Sequence, residues 1–232
     1  MSRKPRDDST GSTHAALAVV LQVRDGGLRV LLWERARAPF AWALPGGLLR
    51  PDETLEESIR RQLAAKVDVQ ELSHLEQLGT LSEPKRVAGV RELATAYLGL
   101  VPLGVDPAVP EDTAWHPVER LPGMAFDHEQ IVLAGRDRLR AKLSYTNLGY
   151  ALAPDQFTLP ELRRVYAAAL GHDVSATNLK RVLLRRRLLE PTGVRREPGP
   201  AGGRPAELFR FRAHRLDITD QFAVLRPPTE QT

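Results

Sequence analysis

The sequence predicts an α/β domain followed by a smaller unit of two helices and a β-hairpin. Three observations lead there. Apolar runs broken by glycine- and proline-marked turns alternate with helical stripes through the first 145 residues. Beyond them the texture changes to two capped helices and a long-tipped hairpin. Charge divides at the same place: residues 1–145 hold 19 Lys and Arg against 20 Asp and Glu, whereas residues 146–232 hold 14 against 9. The second part is therefore +5, mostly between Leu179 and Arg215, and such an asymmetry suggests a polyanionic partner, with a merely soluble basic surface as the plain alternative.

Bulk properties narrow the class. A chain of 232 residues, 42% hydrophobic and 27% charged, can bury a sizeable core as one large domain or two small ones. It has no cysteine, which excludes disulfides and thiolate metal sites. No stretch approaches the roughly 20 apolar residues that span a bilayer, so no membrane association is expected. Met1 to Thr13 is polar and charged, unlike a secretory signal. The expected compartment is the cytoplasm.

The elements follow in order. Residues 1–13 and 227–232 read as tails. His14–Val23 and Leu28–Trp33 flank Asp25-Gly26-Gly27, a strand–turn–strand signal. Leu44-Pro45-Gly46-Gly47 interrupts regular structure; Thr54 and Glu57 then fit a capping box opening a helix whose stripe is Leu55, Ile59, Leu63 and Val67. Strands at 75–81 and 90–101, a loop at 102–110 and a helix at 129–143 complete a first domain of residues 14–145. In the second domain, residues 146–226, Thr158-Leu-Pro-Glu161 is another capping box, with Leu162, Val165, Tyr166 and Ala169 inward and Gly171 as the stop. A second helix is expected over 175–189 with Leu179, Val182 and Leu183 inward. The alternating segments 194–196 and 206–212 flank a turn-rich tip. Helix, helix, hairpin is the order of a winged helix-turn-helix.

The run Trp42-Ala-Leu-Pro-Gly-Gly47, with Glu53, Arg61 and Leu63 at fixed offsets, resembles the Nudix signature. The resemblance implies an α/β/α sandwich with a nucleotide pocket. It also implies glutamates after the arginine and in a pair one turn on, but Gln62, Ala65 and Lys66 stand there, and Asp68 replaces a glycine. Magnesium requires hard anionic oxygens. Positions 62, 65 and 66 share one helix face, which here offers an amide, a methyl and an ammonium. The expectation is a pocket without hydrolase activity, metal or cofactor; first-turn Glu56 and Glu57 read better as capping and dipole partners. Gly46 and Gly47 would shape that pocket. Arg35, Arg37, Arg61 and Arg86 are candidate diphosphate contacts, because guanidinium groups grip phosphate bidentately. Lys66 is a candidate phosphate ligand or a surface lysine; Trp42 a base platform or loop packing. Asp127 and His128 are candidates to bond ribose hydroxyls, with a helix cap as the alternative for Asp127.

The second helix presents Thr177, Asn178, Lys180, Arg181 and Arg185, suited to a major groove. Arg195 and Arg196 on the hairpin and Arg204 at its glycine-flanked tip are candidate minor-groove or phosphate contacts. Lys142, just before the expected domain junction, is a candidate phosphate contact that acetylation would neutralise.

Taken together, 138–150 (RLRAKLSYTNLGY), 157–166 (FTLPELRRVY), Asn178–Arg181 and 203–211 (GRPAELFRF) make the chain similar to the Nudix-related transcriptional regulators, the NrtR family. That resemblance implies a homodimeric regulator, usually a repressor, of NAD biosynthesis or related pathways. It further implies a palindromic double-stranded DNA operator, released when ADP-ribose or a related NAD metabolite binds the Nudix-like domain. The rival expectations are an active Nudix pyrophosphatase acting on ADP-ribose-like nucleotides, and a nucleotide sensor that docks on proteins.

Overall fold

The computed structural model describes residues 11–66, 72–89, 91–197 and 205–219, with the backbone alone at residue 66. The expected tail at 227–232, all but the last three residues of that expected at 1–13, the hairpin tip with Arg204, Val67 and Asp68 lie outside the described residues.

Strand β1 (Thr13–Arg24) is buried along nearly its whole length. Its odd residues, including Leu17, Val19 and Leu21, join one apolar cluster, and Ala16, Ala18 and Val20 join another, as side chains alternating across a pleat must. A tight turn at Asp25 and Gly26, both with positive φ, returns the chain as β2 (Gly27–Glu34), antiparallel to β1. Among the described residues the sheet has seven strands. Strands β3 (Trp42–Ala43) and β7 (Thr113–Pro117) pair with β2, and β4 (Gly46–Leu48) pairs with β1. Strand β6 (Glu92–Leu100) runs parallel to β1, and β5 (His74–Leu81) lies antiparallel beyond it. Strand β7 had no sequence expectation: five residues ending in proline carry little pattern, and pairing with β2 supplies the context.

Helix α1 (Leu55–Lys66) buries Ile59 and Leu63 on the Ala16 side of the sheet, each worth about 1.5–3 kcal/mol in transfer terms. Its capping box is formed: Thr54 N–H donates to Glu57 Oε2 at 2.7 Å and Glu57 N–H to Thr54 Oγ1 at 3.2 Å. Helix α2 (His128–Tyr145) covers the opposite face with Ile131, Val132, Leu139 and Leu143. Helix, sheet and helix form three layers, the expected α/β/α sandwich.

The remaining elements are a 3-10 turn (Leu148–Ala151), α3 (Leu159–Leu170), α4 (Ala176–Arg185), β8 (Leu189–Arg196) and β9 (Ala206–Phe211). This is the winged helix order, and Phe157, Leu162, Leu179, Leu183, Phe209 and Phe211 share the α2-side core. Helix α4 ends at Arg185 rather than Leu189 because Arg187 turns to φ +55 and Leu189 pairs with Phe211 in the hairpin. Beyond β9 the chain returns to the segment after α2. Asn147 Nδ2 donates to the Arg215 carbonyl at 2.8 Å, its Oδ1 accepts from Asp217 N–H at 2.7 Å, and Thr219 N–H donates to the Tyr145 carbonyl at 3.0 Å. Among the described residues no helix is long and apolar enough to cross a membrane.

Candidate functional site

A cleft of about 610 Å³ opens where the ends of β1, β2, β4 and β6 meet the start of α2. Its walls mix apolar Leu17, Leu44 and Phe126 with Arg35, Arg37, Glu92 and His128, and Gly46 and Gly47 also line it. Two glycines are needed here by close approach. A Cβ on Gly46 would stand 2.3 Å from the Ala16 carbonyl oxygen, and one on Gly47 would stand 2.4 Å from Gln62 Nε2. Gln62, buried on α1, thus packs directly against the Gly47 backbone.

The candidates separate at this point. Arg35 lies on the cleft wall, its guanidinium 4.7 Å from the Phe126 ring and bonded to the Ala38 and Pro39 carbonyls. Arg37 is exposed beside it. Arg61 and Arg86 are turned to carboxylates. Arg61 Nε and Nη2 donate to Glu53 at 2.7 and 2.5 Å and hold the Glu53 carboxyl down at about 2. Arg86, with a side chain 2% exposed, gives Nε and Nη2 to Asp127 and Nη1 to Glu92. The sequence offered no sign of that pairing, since Asp127 is 41 residues away. Asp127 neither caps α2 through its side chain nor lines the cleft; its carboxylate is taken by Arg86.

His128 does face the cleft, but in a defined state. Leu44 N–H donates to its Nδ1 at 3.0 Å, and burial drives its pKa down to about 4 against the opposing Asp127 charge. The ring is neutral and its remaining proton sits on Nε2. Trp42 packs edge-on against His116 with ring centroids 4.2 Å apart, and is not a cleft residue. Of Lys66 only the backbone is described. Phe126, next to the Asp127-His128 pair, lines the cleft as well; Glu92, also on its wall, carried no motif that singled it out as a ligand contact.

Magnesium does not fit the residues present. Position 62 is a buried amide and position 65 an exposed methyl. Glu53 is engaged by Arg61, Glu56 by Arg60 and Glu57 by Thr54. Among the described residues no group of three or more His, Asp or Glu could hold an ion.

On the winged helix part, Thr177, Asn178, Lys180, Arg181 and Arg185 are all exposed along α4, opposite buried Leu179 and Leu183. Arg181 Nη2 donates to Asn178 Oδ1 at 2.8 Å, so the two act as one polar unit. Arg195 is exposed on β8 across from Glu207. Arg196 instead reaches back to Glu161 of α3. Lys142 is a correction to the expected phosphate contact. Its side chain is 14% exposed and Nζ lies 2.5 Å from Glu76 Oε2 on β5. Glu76 also meets His74 and Arg138. Burial pushes its carboxyl up, but hydrogen bonds from His74 and Lys142 outweigh this and hold it at about 2.

Comparison with known proteins agrees with this two-part layout. Residues 13–134 match the NUDIX domain, and residues 149–211 match the NrtR DNA-binding winged helix domain. The chain is 32% identical over 211 residues to the ADPR responsive transcriptional repressor NtrR of Acinetobacter baylyi, covering 86% of this chain and 82% of that one. It is similar to Shewanella oneidensis NrtR complexed with a 27mer DNA, with TM-score 0.72 and 32% identity over 85% of this chain and 93% of that one. The NUDIX domain of the same Shewanella protein complexed with ADP ribose is 30% identical, covers 59% of this chain and 94% of that one, and gives TM-score 0.51. A NUDIX sandwich with an exposed cationic helix on an NrtR winged helix, in a chain one-third identical to these proteins, places it in the NrtR family.

Proposed function

We propose that the chain is a DNA-binding transcriptional repressor that releases its operator when ADP-ribose or a related NAD metabolite fills the cleft, and that it does not hydrolyse that ligand. The observation that carries the reading is the α4 face, where Thr177, Asn178, Lys180, Arg181 and Arg185 stand exposed over a buried Leu179–Leu183 stripe. Such a face suits base edges and phosphates of a major groove. The related repressor responds to ADPR and the related Shewanella NUDIX domain holds ADP ribose, which supports the same ligand class here. Two copies with α4 helices about 34 Å apart would span one turn of a palindromic site. The ligand must then favour a second arrangement of the pair, since equal affinity for both would shift nothing. Loss of hydrolysis follows from the carboxylates being absent or already engaged around Gly47 and Gln62.

The test is a gel shift of the chain's own promoter fragment titrated with ADP-ribose, NAD and nicotinamide mononucleotide, beside a turnover assay with Mg²⁺ or Mn²⁺. A shifted band that ADP-ribose disperses, with the nucleotide recovered intact, supports the reading. No band at low salt, or rapid cleavage of ADP-ribose, sinks it.

A further inference from the structure

The cleft is electrically uneven. Arg86 stands between two carboxylates, donating twice to Asp127 (3.0 and 2.7 Å) and once, through Nη1, to Glu92 Oε1 at 2.8 Å. One guanidinium cannot neutralise two carboxylates, so the trio keeps one negative charge. Asp127 is held in a two-pronged bond and does not line the cleft. Glu92, held by one bond and with a side chain 20% exposed, does. The uncompensated charge is therefore displayed on the cleft wall at the first residue of β6.

A phosphate would be repelled at that point; its natural place is the 35–37 loop, which carries Arg35 and Arg37. What a cleft carboxylate accepts is a hydrogen bond from a hydroxyl. His128 completes the pattern from the start of α2. With Nδ1 accepting from Leu44 N–H, it has an N–H to give and no charge. A strong acceptor and a neutral donor on one cleft suit a vicinal diol, whose oxygens donate and accept together.

We infer that Glu92 is the sugar-reading residue of the cleft, accepting a hydrogen bond from a ribose hydroxyl of the bound nucleotide. The inference rests on the reading of the cleft as an ADP-ribose-type site. A carboxylate–hydroxyl bond of this kind carries about ten- to hundredfold in affinity. The trio keeps its shape in Glu92→Gln, because the amide oxygen still accepts from Arg86 Nη1 while the charge is gone.

The experiment is calorimetric titration of the full chain and of Glu92→Gln with ADP-ribose and its 2′-, 3′-, 2″- and 3″-deoxy analogues, so that both hydroxyls of each diol are tested. For the wild-type chain, one deoxy analogue should bind about ten- to hundredfold more weakly than ADP-ribose. In Glu92→Gln, ADP-ribose itself should weaken by a similar factor, and the same deletion should cost less than about threefold. That non-additivity is something a purely structural role would not produce. Wild-type binding of all four deoxy analogues as tightly as ADP-ribose overturns the inference without needing any variant, and so does an identical loss in both proteins. Absence of ADP-ribose binding to the wild-type chain is a different result, which defeats the reading of the cleft and the sugar assignment with it.

Discussion

The Lys142 ammonium of α2 lies 2.5 Å from the same Glu76 oxygen that the His74 ring approaches at 3.0 Å. This largely buried contact ties the sheet edge to the end of the helix that leads into the winged helix part. Removing the Glu76 charge leaves a cation at 14% exposure without its partner. Glu76→Gln should lower stability by about 2–4 kcal/mol in urea unfolding at pH 7. The loss should shrink on acidification. A carboxyl held near 2 stabilises fully above its ordinary value of 4.5 and loses that contribution as pH falls toward 2. A pH-independent difference between the two proteins would contradict the pairing.

His128 predicts a second, separate pH dependence. Its folded value of about 4 lies below the usual 6.5, so the folded state binds the proton later than the unfolded chain does. Stability is complete above about 6.5 and drains away between there and 4, by at most about 3 kcal/mol. His128→Asn keeps an acceptor for Leu44 N–H but cannot titrate. Its urea midpoint should change less than the wild type's between pH 7 and 5.

The two cleft glycines should not respond alike to alanine. At Gly46 the new methyl meets strand backbone, the Ala16 carbonyl at 2.3 Å, and β1 must move. At Gly47 it meets the end of the Gln62 side chain, which can swing away. Gly46→Ala should cost about 3 kcal/mol or more and Gly47→Ala about 1. Thermal unfolding of the pair decides it.

On the DNA side, Arg181→Ala should weaken operator binding about tenfold and flatten the salt dependence by about one unit of log–log slope. Arg196 already contacts Glu161, so Arg196→Ala should cost less. Equal losses would mean that the Glu161 contact opens on binding.

Restoring one acid should not restore chemistry. In Gln62→Glu the neighbours remain Ala65 and Lys66 and Glu53 stays with Arg61. Incubation with Mg²⁺ and ADP-ribose should show no gain in turnover; a clear gain would mean that a single restored carboxylate suffices to hold the metal.

What could be read from the sequence was what is local. The capping boxes at Thr54–Glu57 and Thr158–Glu161 span three residues and formed as written. The apolar run at His14–Val23 became a strand buried on both faces, and the Ile59–Leu63 stripe is buried against the sheet, because run length and period are local properties. The charged side chains were harder. Arg86 and Lys142 looked like ligands of phosphate, but their partners Asp127 and Glu76 are 41 and 66 residues away. Nothing in a single sequence says which acid an arginine will meet. Helix α4 was drawn four residues too long for a similar reason: Leu189, seven residues after Val182, continues its apolar stripe, and only its pairing with Phe211 in the hairpin assigns it to β8.

The clasp at Asn147 gives the winged helix part an unusual attachment. The polypeptide enters it at residue 147 and comes back, 70 residues later, to the amide of that same side chain. Both ends of the winged helix part are thus pinned at one side chain, while Phe157, Leu162 and Val165 seat the part between them in the core shared with α2. A chain cut at 211, where the winged helix match ends, would keep every element of the reading head and lose its second tether.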